Sequence, residues 1–183
     1  MGIGLCSADI SRVALRVLAG CDRVFCESYT SLISGLETSD LTRMLDHDIQ
    51  LLNRSQVEDG SLIIDALSKG DVSLLIPGDP MISTTHISLR VQAAKWILNI
   101  PTAPSTSIFS AAIGESCLTA TRFGRLATIS FMPSAQPYDV LKENKSRGLH
   151  TLFLLDVDSE GDRYMSIREA LESLLSLEEM GMG

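Results

Sequence analysis

Val72-Ser73-Leu74-Leu75-Ile76 is an almost unbroken apolar run, closed by Asp71 on one side and Pro77 on the other. It is too short for a helix and too apolar for a strand with one wet face. It therefore reads as a strand buried on both faces of a sheet. Such a sheet needs helices to cover it, and helical spacing recurs along the chain. Ile10, Val13, Ala14, Val17 and Leu18 fall at i, i+3, i+4, i+7 and i+8, with Asp9 as the expected N-cap and Gly20 as the stop. Residues 23–26 read as a strand, 28–34 as a loop, 36–45 as a short helix and 49–52 as another strand. Ser55-Gln56-Val57-Glu58 has the form of a capping box, predicting one helix that runs to Lys69 and stops at Gly70. A helix near Thr85 is expected to bury Ile87, Val91, Ala94 and Leu98 on one face. Beyond Ile100 come a loop, a short helix from Ser107, a strand at 126–131, a helix at 137–147 and a second buried strand at 151–155. Ser166-Ile167-Arg168-Glu169 forms another capping box, opening a helix with Ile167, Ala170, Leu171, Leu174 and Leu175 inward. The tail Met180-Gly181-Met182-Gly183 has little to pack and is expected to fray. Strands separated by helices predict an α/β fold with a mainly parallel sheet.

With 183 residues, the chain has room for one large domain, or one domain and part of a second. The expected division is 1–115, an α/β ligand-binding domain, and 116–183, the start of a second α/β domain. A net charge of −8 argues against a broad phosphate-binding surface, and so against a nucleic-acid partner. Cys6, Cys21, Cys26 and Cys117 contain no CxxC pair and stand beside only three histidines, which argues against a zinc site. Their small, mostly apolar neighbours suggest buried free thiols in a reducing compartment. Asp9 and Arg12 interrupt any apolar leader, and no stretch reaches the roughly 20 apolar residues of a membrane span. The expected location is the cytoplasm, with no membrane partner.

Ligands of open α/β sheets bind beyond the carboxyl ends of the strands. Three segments are placed that way. Gly2-Ile3-Gly4-Leu5 leads into the first helix, although Gly-x-Gly fits a plain turn equally well. Pro77-Gly78-Asp79-Pro80 follows the buried strand directly; it is either an ordinary turn or a stiff ligand loop in which Gly78 takes a positive φ. Thr84 and Thr85 serve as N-caps without further function, and His86 reads as a polar surface residue. Ser105-Thr106-Ser107-Ile108 opens a helix, where free amides can hold a carboxylate or Ser107 can act as a plain N-cap. His150 reads as a strand-edge residue. Asp46, Asp48, Asp156, Asp158 and Glu160 lack the pairing with a nucleophile that marks hydrolysis.

The run Pro77-Gly78-Asp79-Pro80 followed by Thr84-Thr85-His86 resembles the diphthine synthase family of tetrapyrrole-methylase-like methyltransferases. Asp9-Ile10, Glu27-Ser28-Tyr29-Thr30-Ser31, Phe123-Gly124 and Pro137-Tyr138-Asp139-Val140 match it too. So do Lys142-Glu143-Asn144, Arg147 through Leu152, Leu154-Leu155-Asp156 and Arg163-Tyr164-Met165. The resemblance implies a two-domain fold that binds S-adenosylmethionine between α/β domains, without a metal. The residues matching cofactor positions are Leu5, Asp79, Ile82, Ser107, Ile108 and Leu155. The implied acceptor is the amino group of a modified histidine, 2-(3-amino-3-carboxypropyl)histidine, on translation elongation factor 2. This is a step of diphthamide biosynthesis, and the implied enzyme is a homodimer. The spacer between Asp156 and Arg163 looks archaeal. Family members begin with a fuller hydrophobic strand and continue beyond the last helix, so the resemblance implies truncation at both ends, an incomplete second domain and no activity of this chain alone. The alternatives are another methyltransferase of the superfamily, acting on a precorrin or uroporphyrinogen, or a non-catalytic fragment that keeps the fold.

Overall fold

The computed structural model describes residues 1–29, 38–82, 86–95, 100–158, 161 and 163–179. Thr30, Ser31, Leu36, Thr84, Thr85, Leu98, Glu160 and the tail 180–183 lie outside the described residues. The chain divides into two compact units, Met1–Ile108 and Phe109–Gly183.

In the first unit, α1 (Arg12–Leu18) precedes β1 (Arg23–Glu27), followed by α2 (Thr38–Leu45) and β2 (Ile49–Leu52). Two short helices, α3 (Arg54–Asp59) and α4 (Ser61–Leu67), lead to β3 (Val72–Leu75), and α5 spans Ile87–Lys95. The three strands are parallel in the order β2-β1-β3. Met1–Ile3 extends this sheet beside β3: Ile76 N–H donates to Met1 O at 2.9 Å, and Ile3 N–H donates to Ile76 O at 3.0 Å.

Strand alternation sorts the core onto two faces. Val24, Cys26 and Leu75 pack with Leu18 of α1 and with Leu41 and Leu45 of α2. Phe25 and Leu52 pack with Val57 of α3 and Ala66 of α4, supported by Leu89 of α5. Each fully buried aliphatic side chain contributes about 1.5–3 kcal/mol, so a sheet covered on both sides accounts for the near-continuous apolar run of β3. Cys26 lies in this core, and burial pushes its thiol up to about 12. Cys6 and Cys117 are exposed, contrary to the expectation that all four thiols are buried.

Several local expectations need correction. Ser11, not Asp9, caps α1 through its side chain, which accepts from Ala14 N–H. The capping box after β2 sits two residues earlier than predicted: Asn53 accepts from Gln56 N–H, and the Gln56 side chain accepts from Asn53 N–H. The expected single helix breaks at Gly60, whose φ of 71° ends α3 in the left-handed region. Ile87, Val91 and Ala94 of α5 are exposed, and the inward stripe is instead buried His86 and Ala93 with half-buried Leu89.

The second unit opens with α6 (Ile108–Glu115), which starts at the last residue of the first, and continues through β4 (Ala127–Ile129) and α7 (Gln136–Ser146). Then come β5 (Phe153–Leu155), the short hairpin strands β6 (Val157–Asp158) and β7 (Arg163–Tyr164), and α8 (Ile167–Glu179). β4 and β5 pair in parallel; β6 and β7 are antiparallel. Ile129, Tyr138, Met165, Ala170 and Leu174 form the core. The Ser166–Glu169 capping box is present: Ser166 N–H donates to Glu169 at 2.7 Å, and Glu169 N–H donates to Ser166 Oγ at 3.2 Å. Ala170 and Leu174 face inward as expected, but Ile167, Leu171 and Leu175 are exposed.

Asn144 locks this unit. Its Nδ2 donates to Arg125 O at 2.7 Å and to Thr151 Oγ1 at 2.9 Å, while its Oδ1 accepts from Arg125 N–H at 3.1 Å. A Cβ on Gly124 would collide with the Asn144 carboxamide, so only glycine lets the two segments close. Asp156 plays a similar part at the strand ends, accepting from Ser130 Oγ at 2.9 Å and Phe131 N–H at 3.0 Å.

Candidate functional site

The carboxyl ends of Met1–Ile3 and β3 bring two glycine turns together. Gly78 N–H donates to Gly4 O at 2.8 Å, and Gly4 N–H donates to Gly78 O at 3.2 Å. Both glycines are left-handed, with φ of 75° at Gly4 and 74° at Gly78. The positive φ expected of Gly78 is present. A third segment joins on the far side of Met1–Ile3, where Gly2 N–H donates to Ala103 O at 2.9 Å. Packing is tight at Gly2: a Cβ there would lie 2.6 Å from Gly78 O and 2.8 Å from both Pro80 Cδ and Ser105 Cβ. At Gly4 the added carbon would collide with Asp9.

Two carboxylates hold these turns in place. Asp9 Oδ2 accepts from Leu5 N–H at 2.9 Å, which explains why Asp9 is not spent on capping α1. Its carbonyl accepts from Ser105 Oγ at 3.2 Å. Asp79 Oδ1 accepts from Met81 N–H at 2.9 Å, and Oδ2 accepts from Ser105 N–H at 3.2 Å. One half-buried carboxylate thus fixes the Gly78 loop and the 103–107 segment against each other. The result is a rigid rim made largely of backbone, with open space where a side chain on Gly78 would project, since no atom lies within 4 Å of that position.

Of the residues expected to bind a ligand, Leu5 and Asp79 stand in this arrangement directly. Ile82 lies three residues past Asp79, with its N–H donating to Asp79 O at 3.4 Å, and is exposed. Ser107 is buried immediately before α6, and Ile108 is its exposed first residue. Leu155 ends β5 in the second unit, half-buried against that unit's core.

Sequence reasoning missed a buried pair on the same rim. His86, expected at the surface, is 4% exposed, and its Nε2 lies 2.6 Å from Oε2 of Glu27. The one available signal was Glu27 itself, a charge placed directly after the apolar strand Val24-Phe25-Cys26. An apolar cavity of about 530 Å³ lies elsewhere on the unit, lined by Val13, Val17, Ile64, Leu67 and Leu74 among others. It borders the rim through Met1, Ile76, Pro80, Met81, His86 and Ala103, and none of the expected ligand-binding residues lines it. Its lining is mainly apolar, with Ser73, His86, Arg90 and Gln92 among its polar members, whereas the rim gathers the expected ligand-binding residues and is the stronger candidate for the chemistry.

Comparison with known proteins adds three findings. The family described as Tetrapyrrole (Corrin/Porphyrin) Methylases matches residues 1–180. Diphthine synthase of Methanothermobacter thermautotrophicus is 36% identical over 184 residues, covering 98% of this chain and 70% of that protein. Diphthine synthase of Methanosphaera stadtmanae is 37% identical, covering 97% of this chain and 70% of its own length. A solved crystal structure of diphthine synthase superposes with a TM-score of 0.89 at 33% identity, covering 96% of this chain and 69% of that one.

Proposed function

Since the chain belongs to the tetrapyrrole methylase family and its relatives at 36–37% identity are diphthine synthases, we propose that it transfers methyl groups from S-adenosylmethionine to the amino group of 2-(3-amino-3-carboxypropyl)histidine on translation elongation factor 2. The enzyme class follows from the family: it is a methyltransferase. The donor and acceptor are our reading, and so is the assignment of Leu5, Asp79, Ile82, Ser107 and Ile108 to the donor. Leu155 is assigned to it by resemblance alone. The observation that carries the reading is the Asp79 carboxylate, bonded to Met81 and Ser105 amides beside a glycine rim with open space at Gly78.

The residues present fit the donor. Its adenosyl part needs apolar contact, which exposed Ile82 and Ile108 offer. Its polar end needs backbone groups at close approach, and Gly78 leaves room for that. When bound, S-adenosylmethionine supplies an electrophilic sulfonium methyl group. The protein's own part is orientation: Asp79 holds two loops in a fixed relation before ligand arrives, so little ordering remains to be done. The acceptor amine is the nucleophile and releases its proton to water or a carboxylate.

Exposed Val13, Val17 and Ile64, which line the apolar cavity, support a homodimer. No helix among the described residues is long and apolar enough to cross a membrane. Four cysteines free of disulfides support a reducing cytoplasmic setting.

The test is transfer of labelled methyl from S-adenosylmethionine to elongation factor 2 carrying the precursor side chain. Label should appear on that factor and not on factor lacking the modification, nor on uroporphyrinogen or precorrin. Label on the macrocycle alone would replace this reading with the alternative.

A further inference from the structure

Leu5 and Asp79, the two expected ligand residues that stand directly on the rim, are joined by a closed ring of bonds. Leu5 N–H donates to Asp9 Oδ2 at 2.9 Å, Ser105 Oγ donates to the Asp9 carbonyl at 3.2 Å, and Ser105 N–H donates to Asp79 Oδ2 at 3.2 Å. Asp79 follows Gly78 along the chain, Gly78 exchanges two hydrogen bonds with Gly4, and Gly4 leads back to Leu5. Every link is direct, either a hydrogen bond or the chain itself. Gly2 packs against this ring, since a Cβ on it would lie 2.8 Å from Ser105 Cβ and 2.6 Å from Gly78 O. Half-buried Ser105 enters the ring twice as a donor, and methyl transfer as proposed assigns it nothing. Its backbone bond to Asp79 is independent of its side chain, whereas its hydroxyl alone closes the ring on the Asp9 side. Without that hydroxyl the ring opens, while Gly2 N–H still meets Ala103 O at 2.9 Å, so the three rim segments stay assembled.

Resting on the donor reading above, we propose that Ser105 is a positioning residue for S-adenosylmethionine: its hydroxyl closes the ring that holds Leu5 and Asp79 at one fixed separation before the donor binds. A site ordered in advance gives up less freedom on binding, and the gain is read as affinity. An opened ring leaves the turn from Leu5 to Asp9 to be ordered by the donor itself, and the donor binds more weakly.

Calorimetry with S-adenosylmethionine on the wild type, Ser105→Ala, Asp9→Ala and the double variant tests this, with folded fraction followed by circular dichroism. Ser105→Ala removes the hydroxyl and keeps the N–H bond to Asp79. The expected result is a Kd raised about threefold to tenfold, the size of one ordinary hydrogen bond. Asp9→Ala opens the same ring at Leu5, so the double variant should bind no more weakly than the weaker-binding single variant. Fully additive losses would show two independent contacts and overturn the ring. A hydroxyl that serves only the fold lowers the melting temperature and leaves the affinity of the folded protein equal to that of the wild type, which also overturns the proposal. No binding by the wild type removes the donor reading itself, and the role of Ser105 with it. If Ser105→Ala does not fold, Ser105→Gly lacks the same hydroxyl and takes its place. Failure of both to fold assigns the hydroxyl to folding and overturns the proposal.

Discussion

Asn144 and Gly124 stand in segments that sequence reading treats only as marks of resemblance, yet the structure gives them one shared mechanical task. The Asn144 carboxamide closes three hydrogen bonds between the approaches to β4 and β5, and Gly124 is the space that lets it do so. Asn144→Ala leaves the Arg125 backbone groups and the Thr151 hydroxyl without these part-buried partners. At about 1–3 kcal/mol for an unsatisfied buried group, with partial compensation by water, the expected loss is about 2–4 kcal/mol. Urea denaturation checks it, and a loss below about 0.5 kcal/mol would contradict the role, since that is the range of ordinary surface changes. Neither this lock nor the Glu27–His86 pair was legible in the sequence. Both depend on contacts between positions far apart in the chain, and no local periodicity encodes those. Gly78 was legible, because a glycine between two prolines at the mouth of an apolar strand has few other uses.

Elements were legible in kind and misread in orientation. The switch from period two to period three or four identified β1, β2 and β3 and the helices between them. The inward faces of α1, α5 and α8 were overdrawn. In α1 two apolar stripes lie side by side, and a helix of seven residues turns only Ala14 and Leu18 to the sheet, leaving Val13 and Val17 exposed. Val91 of α5 and Leu171 of α8 follow the same rule. Capping was more reliable where the box is closed by a carboxylate. At the start of α8, the backbone N–H and then the hydroxyl of Ser166 bond to Glu169, with Arg163 assisting, and they draw its carboxyl from 4.5 down to about 2. A carboxyl depressed in the folded state contributes stability above its unfolded pKa and loses it as pH falls through the folded value. This contribution should therefore be complete above about 4.5 and fade toward about 2. Glu169→Gln should flatten that part of the stability–pH curve, measured by urea midpoint at a series of acid pH values. Exposure of the side chain keeps the effect small. An identical curve for the variant would show that the box does not persist in solution.

At the scale of the whole molecule, the α/β class follows from composition and period, because an apolar strand such as β3 can exist only between two layers of helix. The glycine rim follows from topology: Met1–Ile3 and β3 run in parallel and deliver Gly2–Gly4 and Pro77–Pro80 to one end of one sheet, where Ala103–Ser105 joins them and Asp79 ties two of the three segments together. The central claim is that this rim binds S-adenosylmethionine, and Gly78→Val tests it with little risk to the fold. A Cβ there meets no protein atom within 4 Å, so the main folding cost is the positive φ of 74°, about 1–2 kcal/mol. The branched side chain would instead project into the space assigned to the ligand. Calorimetric titration with S-adenosylmethionine should therefore show binding by the wild type and none by Gly78→Val, with the circular dichroism spectra of the two superimposable. Equal affinity in a folded variant would mean that Pro77–Pro80 is only a turn and that the donor binds elsewhere.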